Sequence, residues 1–233
     1  MRSLRAYRAE VSADTSEEVL RLVGRPRAAD RRWLYATRTK RLCDVLLVTL
    51  AAPVVVAIIG ICAALVILDG SGPFYSQWRV GRNGRSFRLW KLRTMVPDAE
   101  ALLADHLRNN PEARREWQEK QKLAVDPRIT AVGRFLRMSS LDELPQVYNV
   151  LRGDMSLVGP RPILPEQVPL YSGSVYYRLR PGLTGPWQVS VRNAGAFQDR
   201  VRHDEDYFLT ISPGTDLKII LKTVSAILRG TGQ

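Results

Sequence analysis

VLLVTLAAPVVVAIIGICAALVIL, residues Val45–Leu68, runs for 24 positions in which only Thr49 and Gly60 depart from strongly apolar residues, alanine, cysteine and proline. As a helix it extends about 36 Å, enough for a bilayer core of about 30 Å. A buried core helix of that length without a charge is the competing reading. The run starts too late for a cleaved signal and lacks a suitable cleavage site.

Two features argue against a simple span. Pro53 divides the run into Val45–Ala52 and Pro53–Leu68, and an interior proline removes a backbone hydrogen bond and bends a helix. Both flanks are basic: Arg25, Arg27, Arg31, Arg32, Arg38, Lys40 and Arg41 precede the run, and Arg79, Arg82, Arg85, Arg88, Lys91 and Arg93 follow it. Basic flanks favour the cytoplasm. A segment that enters, bends near Pro53 and leaves on the same face satisfies both. A true span over 45–68 is the alternative.

Upstream, residues 1–39 form a basic, apolar-poor extension, with a short helix expected around Thr15–Val23 and a break at Gly24-Arg25-Pro26-Arg27. Downstream, Asp69-Gly70-Ser71-Gly72-Pro73 is a turn. Phe74–Val80 and Ser86–Leu92 read as strands joined at Gly81-Arg82-Asn83-Gly84. Pro97-Asp98 opens a helix to about Arg108, and Asn110 caps a second with Pro111 first. Leu102, Leu103, Leu107 and Trp117 give these helices apolar faces for the core or a membrane interface. The last helix is expected to be capped by Asp216 and ended by Gly230, with Leu217, Ile220, Leu221, Val224, Ile227 and Leu228 on one face. The fold class is therefore α+β, mostly helical, with a small hairpin and interfacial amphipathic helices around a re-entrant helix at about 42–68.

Net charge is +12, from 35 Lys+Arg against 23 Asp+Glu, which points to acidic partners: nucleic acid, anionic lipid or phosphorylated substrates. Cys43 and Cys62 form no CxxC, and His106 and His203 are isolated, so a disulfide framework or a zinc site is not expected.

The chemistry concentrates in Ser139-Ser140-Leu141-Asp142-Glu143-Leu144-Pro145-Gln146. By local pattern Ser140-x-x-Glu143 is a capping box, in which Asp142 and Glu143 only complement a helix dipole. The same helix start is also an anion site. An ionised Asp142 there can attack phosphorus, provided cations offset the repulsion between carboxylate and phosphate. Arg137, Arg152 and Arg161 lie within twenty residues of it. Arg161 stands between Pro160 and Pro162, which hold it rigidly for a fork-like grip on phosphate. Arg180-Pro181-Gly182-Leu183-Thr184-Gly185 is a further basic turn, whose glycines permit close backbone approach to a ligand.

Five motifs occur in order: Lys91-Leu92-Arg93-Thr94-Met95, Ser140-Leu141-Asp142-Glu143-Leu144-Pro145-Gln146, Arg152-Gly153-Asp154-Met155-Ser156, Val158-Gly159-Pro160-Arg161-Pro162, and Arg180 to Gly185. The set, over about residues 40–229, closely resembles the bacterial sugar transferases, the monotopic polyprenyl-phosphate phosphoglycosyl transferases. It looks most like the undecaprenyl-phosphate galactose phosphotransferases that start exopolysaccharide synthesis. The resemblance implies transfer of a sugar-1-phosphate from a UDP-sugar to undecaprenyl phosphate with release of UMP, at the cytoplasmic face of the bacterial inner membrane. It implies Asp142 as covalent nucleophile and metal-site residue, Glu143 as its dyad partner, and Mg2+ as cofactor. Lys91, Arg93, Arg137, Arg161 and Arg180 fall at cationic positions near phosphate or nucleotide, and Asp204-x-x-Tyr207 matches a later motif. The family's membrane helix breaks at Ser-Pro; here Ala52-Pro53 stands in its place, without a serine to satisfy the freed backbone. Ser190-Val191-Arg192-Asn193 carries valine where many relatives have glycine.

The expected organisation is the extension 1–39 followed by a phosphoglycosyl transferase domain, 40–233. Galactose is the favoured sugar and UDP-glucose the close alternative. Membrane lipid, a second copy of the chain and downstream glycosyltransferases complete the partners considered, with no nucleic acid. A non-catalytic, membrane-anchored basic binding protein is the reading from another class; the chain lacks the aromatic-interleaved basic motifs of a nucleic-acid binder.

Overall fold

The computed structural model describes residues 35–120, 123–190, 197 and 199–229. The expected helix at Thr15–Val23, the loop Val191-Arg192-Asn193 and the stop at Gly230 lie outside them. Helix α1, Lys40–Leu68, follows one turn of π-helix at Tyr35–Thr39 and stays helical through Pro53. Pro53 has no N–H, so the Thr49 carbonyl loses its helical donor there. Asp44, Val48, Cys62 and Val66 face the body and are buried, whereas Leu42, Leu46, Leu50, Val54 and Ile61 are exposed. A helix so apolar and so uncovered is not the core helix of this domain.

The hairpin forms as its sequence predicts. Strands β1, Phe74–Val80, and β2, Ser86–Leu92, pair antiparallel from Phe74↔Leu92 to Val80↔Ser86. Asn83 (φ 58°) and Gly84 (φ 72°) supply the left-handed backbone of its loop. Strand β2 sorts its residues by burial. Phe87 and Leu89 pack on Val48, Val150 and Met155, and Leu92 on Cys62, Val66 and Leu136. The two halves of α1 thus rest on the same body through one strand.

Helices α2, Ala99–Asn109, and α3, Pro111–Lys120, follow; Asn110 Oδ1 accepts from the N–H groups of Glu112 and Ala113, as the Asn-Pro start predicts. Next come α4, Ala131–Met138, α5, Gln146–Arg152, and β3, Ser156–Val158. Strand β4, Gly182–Thr184, pairs parallel to β3. This second pair changes the meaning of the glycines. A Cβ on Gly182 would lie 2.1 Å from Gly159 N, and one on Gly185 2.0 Å from Gly159 O. They permit two backbones to cross, rather than a ligand to approach as the sequence had implied.

The chain closes with α6, Pro186–Ser190, α7, Asp199–Thr210, and α8, Pro213–Leu228. Ser212, not Asp216, caps α8: its Oγ accepts from Thr215 N at 3.2 Å. Asp216 is freed from capping because it sits a turn further in, where it receives the Tyr35 and Tyr207 hydroxyls and the Lys40 ammonium. Leu217, Leu221, Val224 and Ile227 on α8 are exposed, an amphipathic face like that expected.

Candidate active site

Thr130 caps α4 by accepting from Gly133 N at 2.9 Å, and the helix ends at Ser139. Ser140 then turns left-handed (φ 56°, ψ 18°), and Leu141–Glu143 form a single 3-10 turn. The capping box suggested by Ser140-x-x-Glu143 does not form. The Ser140 side chain makes no capping hydrogen bond; its backbone N–H donates to Arg137 O at 3.1 Å and its carbonyl accepts from Glu143 N at 3.3 Å. A non-glycine residue at positive φ is a strained choice, and it stands immediately before the two carboxylates.

Lys91, near the end of β2, joins the carboxylates. Its Nζ lies 3.3 Å from Asp142 Oδ2 and 2.7 Å from Glu143 Oε1. The Asp142 side chain is 9% exposed and that of Glu143 25%. Burial raises the Asp142 pKa above the usual carboxylate range; Lys91 opposes this, and the Glu143 charge adds to it. Burial also pushes Glu143 upward, but Lys91, Arg161 and Arg79 outweigh it, so Glu143 is held below its ordinary value. The two neighbours are driven apart: Asp142 becomes the more basic carboxylate and Glu143 the firmly ionised one. Arg137 donates to Thr94 Oγ1 at 2.8 Å and adds positive charge near Asp142.

The dyad opens into a cleft of about 530 Å3. One wall comes from α1 (Leu47, Val48, Ala51, Val55) and another from α8 (Ile220, Thr223, Val224, Ile227); Asp142, Glu143, Arg161, Trp187 and Gln188 also line it. An apolar slot that meets ionised groups suits a molecule with a hydrocarbon part and an anionic head.

Lys91, Arg137 and Arg161 therefore gather around Asp142 and Glu143. Ala52 and Pro53 lie in the stretch of α1 that walls the cleft. The other candidates lie elsewhere. Arg93 gives its backbone N–H to Pro73 O, and its buried Nε has no partner among the described residues. Arg180 donates to Gly153 O at 3.0 Å and lines a small cavity with Lys40 and Asp44. Tyr207 donates to Asp216 Oδ1 at 2.6 Å, while Asp204, three residues before it, accepts from Tyr171 at 2.8 Å. Arg79, Trp187 and Gln188 carry no local motif; only the packing of distant segments brings them to the site.

Among the described residues no group of three or more His, Cys, Asp or Glu could hold a metal. The dyad still fits Mg2+, which binds through one or two carboxylates with phosphate oxygens and water completing its shell. Asp142 and Glu143 are the residues that would hold it.

The bacterial sugar transferase family profile matches residues 35–230. The chain is 41% identical over 234 residues to an undecaprenyl-phosphate galactose phosphotransferase of Salmonella typhimurium, covering 99% of this chain and 48% of that protein. It is 44% identical over 197 residues to the exopolysaccharide production protein ExoY of Rhizobium meliloti, covering 83% and 87%. It is 38% identical over 201 residues to a UDP-glucose:undecaprenyl-phosphate glucose-1-phosphate transferase of Caulobacter vibrioides, covering 81% and 69%. The chain spans about half the length of the Salmonella relative.

Proposed function

Because the chain belongs to the bacterial sugar transferase family, we propose that it transfers a sugar-1-phosphate from a UDP-sugar to undecaprenyl phosphate, releasing UMP, as a first membrane step of exopolysaccharide assembly. The observation that carries this reading is the meeting of the Asp142–Glu143 dyad with an apolar cleft between α1 and α8. Residues 40–233 are the transferase domain, and galactose is the first sugar to test, because the Salmonella relative is named for it. The name of the Caulobacter relative makes UDP-glucose the second.

The chemistry runs in two displacements. An Asp142 carboxylate oxygen attacks the β-phosphorus of the UDP-sugar. The bond from that phosphorus to the bridging oxygen breaks, and its electron pair leaves on the phosphate of UMP. A phosphate oxygen of undecaprenyl phosphate then attacks the aspartyl phosphosugar, and the bond to Asp142 breaks with the carboxylate restored. Glu143, held ionised, takes the proton when the acceptor arrives as its monoanion. Lys91 and Arg137 offset repulsion between Asp142 and the incoming phosphate. Mg2+ bound at the dyad would neutralise further phosphate charge.

The cleft supports the acceptor's class: its apolar walls suit the prenyl chain, and its charged residues the phosphate. Leu92 and Leu136 pack on the second half of α1, while Phe87 and Val150 pack on the first. Contact of both halves with one body supports a re-entrant helix with that body at the cytoplasmic leaflet.

The protein incubated with UDP-galactose and Mg2+, without the lipid acceptor, is expected to gain the mass of one phosphohexosyl group (hexose phosphate less one water) and to release about one equivalent of UMP. Asp142→Asn is expected to do neither, and Glu143→Gln to lose about 100-fold or more in kcat. Normal turnover by Asp142→Asn would remove Asp142 as the nucleophile.

A further inference from the structure

Beyond the dyad, three more distant segments converge on a second cluster of charge. Arg79, at the end of β1, donates to Pro162 O at 3.2 Å and to Gln77 Oε1 at 2.8 Å. The same strand is stitched to the Pro160-Arg161-Pro162 turn: Val80 N donates to Ile163 O at 3.0 Å, Ile163 N to Tyr176 Oη at 3.2 Å, and Tyr176 Oη–H to Val80 O. Arg79 and Arg161 are thereby fixed to one rigid corner. Arg200, on α7, lies with its guanidinium carbon 4.2 Å from the Trp187 ring centre and 4.6 Å from that of Phe197, and Arg161 lies 6.0 Å from Trp187.

Three guanidiniums so placed repel one another. Burial lowers the Arg79 pKa and Arg161 lowers it further; burial, then Arg161, with a smaller part from Arg79, brings Arg200 down to about 10. Among the described residues none of the three forms an ion pair with a carboxylate. The nearby acids relieve them only in part: Glu143 favours the charged form of Arg79 and Asp204 that of Arg200, yet burial and mutual repulsion still bring both arginines down. Glu143 is committed to Lys91, and Asp204, 3% exposed, accepts from Tyr171 with one oxygen while its Oδ1 finds no partner. The Nε atoms of Arg79 and Arg200 and the Nε1 of buried Trp187 also lack partners among the described residues. A guanidinium covered on its faces by aromatic rings keeps its in-plane N–H edges for acceptors. Buried donors and excess positive charge at one place are the signature of a site completed by an anion.

We propose that Arg79 and Arg200 join Arg161 in binding the phosphate of the nucleotide that leaves when Asp142 takes the sugar phosphate. This rests on the two-displacement reading above. In that step the α-phosphate gains one negative charge as the bond to the bridging oxygen breaks. Cations already in place favour the charge that develops, so they speed departure and hold the product. The cluster lies next to Glu143, whose charge both Arg79 and Arg161 feel. Arg161 and Trp187 also line the cleft, so nucleotide and lipid phosphate would share Asp142 from neighbouring sites.

The test uses the full chain in lipid nanodiscs, with UMP titrated calorimetrically and as a product inhibitor. Arg79→Gln and Arg200→Gln are each expected to weaken UMP about tenfold or more and to lower kcat/KM for UDP-galactose, with the KM for undecaprenyl phosphate within about twofold of wild type. Arg200→Lys is expected to recover part of the UMP affinity, which a purely structural role for the Trp187 stack would not allow. UMP affinity unchanged in both glutamine variants would overturn the proposal. So would a loss confined to undecaprenyl phosphate. If Arg200→Gln does not fold, Arg79→Gln and Arg200→Lys decide the matter. Calorimetric binding of UMP is read without turnover, so failure of the covalent mechanism would show separately, as absence of the phosphosugar adduct.

Discussion

Two lysine–carboxylate contacts, built from similar parts, end in opposite states. At the foot of α1, Lys40 meets Asp216, with side chains 8% and 9% exposed. Asp216 also receives the hydroxyls of Tyr35 and Tyr207, so both of its oxygens are supplied. At the cleft, Lys91 serves two carboxylates, and Asp142 gets the longer contact, 3.3 Å against 2.7 Å for Glu143. One buried carboxylate is saturated with donors and bolts the N-terminal end of α1 to α8. The other is buried, underserved and set beside a like charge. A structural pair minimises what is left unsatisfied, whereas a reactive carboxylate keeps an oxygen available for an electrophile.

The largest test of this contrast is Asp216→Asn. It takes the hydrogen-bonded counter-charge from the buried Lys40 ammonium and leaves it only the Asp44 carboxylate in the same cavity, so a loss of about 2–4 kcal/mol is expected in denaturant or thermal unfolding. At the other pair the sign reverses. The folded-state pKa of Asp142 lies above its unfolded value, so its contribution to stability is full in acid and is lost as pH rises through the folded value. At neutral pH the ionised group therefore costs stability, and Asp142→Asn is expected to raise Tm by roughly 2–4 °C while abolishing transfer. That gap should close in acid; a destabilised variant would break the contrast.

The smallest expected effect is in the pH profile. Transfer should rise as Asp142 loses its proton, with the acid limb of kcat/KM above the ordinary carboxylate range because burial raises that group. In Lys91→Gln the residual activity should show the limb moved to higher pH, since Lys91 is the strongest influence holding Asp142 down. An unmoved limb would assign the titration to another group.

Much of the architecture was legible because its signals are local. The hairpin follows from alternating strands around Asn83-Gly84, and the α2–α3 junction from Asn110-Pro111. Other local patterns misled. Ser140-x-x-Glu143 satisfies the capping-box rule, yet the chain turns left-handed at Ser140 as it leaves α4. Asp216 satisfies the cap rule, yet Ser212 takes that place and Asp216 answers to Lys40, 176 residues away. The glycines of Arg180–Gly185 were legible as a demand for close approach, but not as the crossing of β3 and β4. A motif reports which backbone groups can be satisfied nearby; it does not report which distant partner competes for them.

The sequence by itself determined a long uncharged helix with basic flanks, a small hairpin, a carboxylate pair and a surplus of arginine, because composition, periodicity and turn chemistry act over a few residues. Only the tertiary structure decided which cations meet that pair. Lys91 and Arg161 reach it, whereas Arg180 turns to Gly153 at the foot of α1. Arg79, legible in the sequence only as part of a basic flank, and Arg200 come together through packing of β1 and α7 around Tyr171, Tyr176 and Tyr177. Coulomb energy depends on separation in space and on burial. Neither is a property of spacing along the chain.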